Sequence, residues 1–66
     1  MSRRHEELLA YADQRDQEAT TAKNARDNAP RGSLERGVYD ELWENARADA
    51  KHLRFTVADE KWRATR

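Results

Sequence analysis

From Tyr39 onward the apolar positions recur every three or four residues, at Tyr39, Leu42, Trp43, Ala46, Ala50, Leu53 and Val57. At 100° per residue they fall within a sector about 100° wide, the mark of an amphipathic helix. The preceding arm repeats more faintly. Leu8, Ala12, Ala19 and Ala22 align, with Tyr11 and Ala29 at one border and Met1 and His5 at the other, but Arg15 and Arg26 lie inside the same stripe. Between the arms runs "NAPRGSLERG", residues 28–37, which holds the single proline and both glycines. Pro30 disfavours helical geometry at Ala29, and Ser33 is suited to cap a helix beginning at Leu34. The pattern predicts a helix over about 3–28 with Ser2 or a neighbour as its cap, a turn over about 29–33 and a helix over about 34–63. Residues 12–29 carry almost no large apolar side chains, yet their Ala, Gln, Glu and Arg content favours a solvated helix, in which Lys23 can pair with Asp27.

Two helices and a short turn specify an all-α fold, an antiparallel helical hairpin in which large residues of the second helix pack over alanines of the first. The chain has 66 residues, 36% hydrophobic and 39% charged, which is little material for a core. A hairpin of this kind covers only one side of each stripe. The expectation is therefore a four-helix-bundle-like homodimer, with Tyr39, Leu42, Trp43, Ala46 and Leu53 as the self-association surface.

Charge and candidate chemistry narrow the function further. Thirteen basic and thirteen acidic residues cancel, so no global field draws the chain to nucleic acid or to an anionic membrane. The amino-terminal segment turns acidic within six residues and lacks an apolar run, so a soluble, unexported, cytoplasmic protein is expected, and the absence of cysteine leans the same way. Arginine in preference to lysine, with abundant alanine, is compatible with a bacterial or phage source. Asp49 and His52 share a helical face at a spacing that can supply two metal ligands, but two are too few and the pair borders the polar side. Serines and threonines have no nucleophile context, and the core is too small for a water-poor cleft. No enzyme activity, cofactor or metal site is expected.

The carboxyl-terminal segment "LRFTVADEKWRATR" breaks the pattern. If the second helix runs unbroken, Phe55 and Trp62 lie together on the side away from Leu42 and Leu53. They then form a second apolar strip, flanked by Lys51, Arg54, Lys61 and Arg63, and Trp is enriched at binding hot spots. A rival arrangement uses Thr56 and Asp59 as a cap, starting a short third helix that buries Trp62. The absence of Gly and Pro over residues 38–66 favours the continuous helix. Function then follows as a small protein-interaction module, a regulator, inhibitor or assembly component, with Phe55, Trp62 and the four flanking bases meeting a protein partner. Residues 51–66 also hold five basic residues against Asp59 and Glu60, a basic–aromatic composition that makes nucleic-acid binding the alternative.

Overall fold

The computed structural model describes residues 3–65; the expected cap at Ser2, Met1 at the stripe border and Arg66 in the basic segment lie outside the described residues. Two helices form, α1 (Arg3–Asn28) and α2 (Leu34–Ala64). Their ends follow from local chemistry. Pro30 accepts a backbone hydrogen bond at its carbonyl from the Ser33 amide at 3.2 Å, and Gly32 takes φ 80° between them. A tight turn of this geometry demands a residue free of a Cβ at its third position. Ser33 then adopts an extended backbone, and its hydroxyl accepts from the Arg36 amide at 3.2 Å, satisfying one of the orphan donors of the first turn. Arg36 in turn donates to the Ala29 carbonyl at 3.2 Å and ties the loop across its own base.

The helices pack antiparallel along a seam of small residues. Ala12, Ala19 and Ala22 of α1 and Ala46, Ala50 and Val57 of α2 are buried, and among the described residues no buried side chain is larger than valine. Alanine lets the two backbones approach closely, but each buried methyl contributes only about 0.8 kcal/mol. Leu8, Leu9, Tyr39, Trp43 and Leu53 are half-buried at the margins of the seam. Cα extents of 50 × 17 × 11 Å and a radius of gyration of 15.2 Å describe a slat. A compact globule of this length has a radius near 11 Å. The difference is surface that no second layer covers.

Charged side chains mark the rungs of the seam where apolar ones are absent. His5 Nε2 lies 3.1 Å from Glu60, which also pairs with Arg4. Arg15 reaches Asp49 at 2.8 Å and also pairs with Glu18, and Arg26 reaches Asp40 at 2.7 Å. Apart from Arg15–Glu18, which lies within α1, each pair joins an α1 residue to an α2 residue at one register only, so these pairs select that register even where the alanines would tolerate a slip. Arg26 and Arg47 also stack over the Trp43 ring, their guanidinium carbons 4.7 and 5.4 Å from its centroid. Asp27 pairs with Arg26 at 3.3 Å, so the partner that spacing assigns to Lys23 is taken.

Candidate functional site

Two exposed surfaces carry the residues that the sequence singles out. The first is an open groove of about 630 Å³ on one broad face of the slat. Its floor is the seam at Ala22 and Ala46; Tyr39 and Leu42 form the α2 wall and Gln14, Glu18 and Thr21 the α1 wall. Leu42 is 50% exposed. Tyr11 and Val38, also about half exposed, add apolar surface to the hairpin. The charge on this groove is internally cancelled. Arg15 lies in its lining, and the hydrogen bonds it donates, to Glu18 first and to Asp49 next, raise its pKa against the desolvation that lowers it. Its Nε is enclosed without a hydrogen-bond partner. The remaining polar lining is neutral amide and hydroxyl, Gln14, Gln17, Thr21 and Asn45.

The five residues assigned to self-association do not share one environment. Leu42 and Tyr39 line the groove. Ala46 is buried in the seam against α1, so the surface it offers is already covered within the chain. Leu53 is half-buried, and the Trp43 ring is in contact with the guanidinium groups of Arg26 and Arg47.

The second surface is the outer side of α2. The helix is continuous through Ala64, which places Phe55 and Trp62 seven residues apart on one side, 69% and 58% exposed. The Thr56–Asp59 cap does not form. The Thr56 hydroxyl donates to the His52 carbonyl at 2.9 Å inside the helix, and Asp59 pairs with Arg63 four residues on at 3.1 Å. The four flanking bases divide. Arg54 turns back to α1 and pairs with Asp13 at 3.0 Å and Asp16 at 2.8 Å, and those hydrogen bonds, Asp16 before Asp13, raise its pKa. Arg63 is held by Asp59. Lys51 and Lys61 have no ion-pair partner among the described residues and are exposed; Lys51 lies one turn before Phe55, whereas Lys61 lies about 100° round the helix from Trp62.

Asp49 and His52, the pair with metal-ligand spacing, part company: Asp49 is drawn to Arg15 and His52 stays exposed. No group of three or more His, Asp or Glu side chains suited to a metal ion occurs among the described residues. No helix among them is long and apolar enough to cross a membrane. The rungs of charge across the seam are the feature that periodicity misses, because Arg15 and Arg26 look like defects in a stripe until Asp49 and Asp40 are brought opposite them. No family model, no curated protein and no solved structure matches this chain.

Proposed function

We propose that this hairpin is a non-enzymatic, cytoplasmic interaction module, a small regulator, inhibitor or assembly component that works by presenting helix surface. It assembles through its grooved broad face into a four-helix-bundle-like homodimer and offers the Phe55–Trp62 strip to a protein partner. One observation carries this: the seam buries nothing larger than valine, while Leu42 stands half exposed in a groove whose charges cancel. A second copy covers that groove without a like-charge penalty. The groove runs along part of a hairpin whose Cα extents are 50 × 17 × 11 Å, between residues 14–25 of α1 and 39–46 of α2. Sedimentation at tens of micromolar tests the assembly. The wild-type chain is expected to be a dimer or larger and Leu42→Glu to lose the groove contact; a compact wild-type monomer with a concentration-independent melt refutes it.

A nucleic-acid-binding dimer is the second reading, favoured by Lys51 and Lys61, which are exposed and have no ion-pair partner among the described residues, on the same helix end as the exposed Phe55 and Trp62. Binding of single-stranded oligonucleotides across a salt series separates the two. Steep weakening with salt that Lys51→Ala and Lys61→Ala reduce supports phosphate contacts, and the absence of binding leaves the protein surface.

A further inference from the structure

The outer side of α2, opposite α1, carries an exposed row at alternating intervals of three and four residues. It opens at Leu34 and Gly37, turns acidic at Glu41 and Glu44 and reaches Ala48. Beyond Ala48 the same intervals give Lys51, Phe55, Ala58 and Trp62. These are the intervals of a two-helix coil's seam, with charged residues at three of its nine positions, on the face the hairpin does not use. Leu34 at its head is 90% exposed, more than any other large apolar side chain described.

Half a turn about Ala48 maps the row onto itself to within one residue, about 1.5 Å of helix rise. Leu34 then meets Trp62, Gly37 meets Ala58, and Ala48 meets its own copy. Glu44 meets Lys51, so acid opposes base twice in a symmetric pair. Glu41 meets Phe55, laying its stem over the ring while its carboxylate reaches toward Lys51. We infer that the occupant of the Phe55–Trp62 strip is α2 of a second copy, packed antiparallel with its two-fold axis at Ala48. This rests on the strip being a docking surface and names what docks there.

Three observations support this occupant over an unrelated helix. The charges are complementary only in the antiparallel register, since parallel pairing sets Glu41, Glu44 and Lys51 against themselves. Leu34 and Trp62 stand at the two ends of the row, where the two-fold brings them together, and the residue on the axis is an alanine. Gly37 is the third. A Cβ placed there meets nothing within 4 Å inside the hairpin, so the hairpin itself gives no reason for a residue that weakens a helix. Opposite Ala58 of a second copy it allows the helices to close up. The row spans residues 34–62, about 42 Å of helix.

This contact is separate from the groove, which opens on the broad face. Two isologous contacts per chain alternate, so the assembly extends past a dimer. The chain lacks cysteine, which makes single-cysteine probes clean. Oxidised A48C at tens of micromolar is expected to become a covalent dimer, while Asn24→Cys, on exposed α1 surface, does not. E44K and K51E are each expected to weaken association about tenfold or more by setting like charges opposite each other, and the double variant E44K/K51E to regain most of it. In sedimentation, Leu42→Glu leaves the α2–α2 dimer, and F55A/W62A leaves the groove dimer.

A wild-type dimer that Leu42→Glu reduces to monomer, with no A48C cross-link, overturns the inference and leaves the groove assembly standing. A wild-type dimer that A48C captures and Leu42→Glu does not disturb supports the inference and overturns the groove assembly. A monomer under all conditions overturns both. Cross-linking without recovery in the charge-swapped double variant overturns the register, and oligonucleotide binding through Lys51 and Lys61 without self-association overturns the choice of occupant.

Discussion

Truncating Val57 and Phe55 to alanine applies one kind of change at two positions two residues apart on one helix and yields opposite outcomes. Val57 is 2% exposed and is the largest side chain the seam encloses, whereas Phe55 points away from α1. Val57→Ala removes two buried carbons, about 1.6 kcal/mol at roughly 0.8 kcal/mol each. The void between closely spaced backbones adds to that loss, and alanine's higher helix propensity returns up to about 0.6 kcal/mol. The net cost is about 2 kcal/mol, and for a domain of this size about 8–16 °C in Tm. Phe55→Ala opens no cavity within the chain and gains helix propensity, so the hairpin itself changes by less than about 0.5 kcal/mol. The assay is a set of circular dichroism melts over about a fifty-fold range of concentration, which separates folding from association. Val57→Ala lowers Tm at every concentration; Phe55→Ala does so only where association contributes, and its effect vanishes at the dilute end. A dilute-limit loss for Phe55→Ala as large as that for Val57→Ala refutes the orientation of α2 and restores the folded-back third helix.

Two further outcomes follow from local geometry. Glu60 is held below the ordinary carboxylate range by the hydrogen bond from Arg4 first and from His5 second, so its contribution is present above its unfolded-state pKa and is lost as pH falls through the folded one. Acidification below the ordinary carboxylate range is expected to lower Tm less in Glu60→Gln than in wild type, and equal acid losses in the two refute the linkage. Gly37→Ala is expected to raise the dilute-limit Tm by the equivalent of about 0.5–1 kcal/mol, since the added Cβ meets nothing within the hairpin. An unchanged or lower dilute-limit Tm shows that the position is constrained from inside the chain.

Local chemistry made the hairpin legible. Pro30, Gly32 and Ser33 each act within three residues of themselves, so the turn and the start of α2 at Leu34 can be read without knowing what lies across from them. Continuation of α2 past Phe55 was a contest between two local signals. It is settled by the Thr56 hydroxyl bonding back to His52 and by Asp59 bonding forward to Arg63, both contacts that a helix supplies and a cap forgoes. The seam charges were illegible for a different reason. Whether Arg15 is a flaw or a fastening depends on Asp49, thirty-four residues away, and that separation is bridged only once the register of the two helices is known. Arg54 follows the same logic. Spacing sets it beside Phe55 on a basic strip, yet Asp13 and Asp16 on α1 draw it across the hairpin. Only Lys51 and Lys61 of the four flanking bases remain without an ion-pair partner among the described residues, so the strip is less basic than composition implies.

Why this hairpin should place arginines in its own seam follows from the size of that seam. Five alanines and one valine supply a smooth, nearly featureless contact, and such a contact alone permits the helices to slide by a turn or to trade partners with another chain. Pairs at His5–Glu60, Arg15–Asp49 and Arg26–Asp40 are spaced along the whole hairpin, and a slip of one turn breaks all three together. Their contribution is to specificity more than to strength, because partly exposed ion pairs add little net stability. The consequence for function runs outward. With register fixed by charge and the interior spent on alanine, the large apolar residues Leu34, Leu42, Phe55 and Trp62 are left on the surface, where they contribute free energy only when another helix covers them. The same division of labour predicts the response to Arg15→Met: the enclosed Nε without a partner and the rung to Asp49 vanish together, so the dilute-limit Tm holds or rises while selectivity among helix pairings falls. Mixing this variant with a tagged copy and measuring strand exchange by pull-down is the check. Exchange no faster than wild type refutes the assignment of register to the charged rungs.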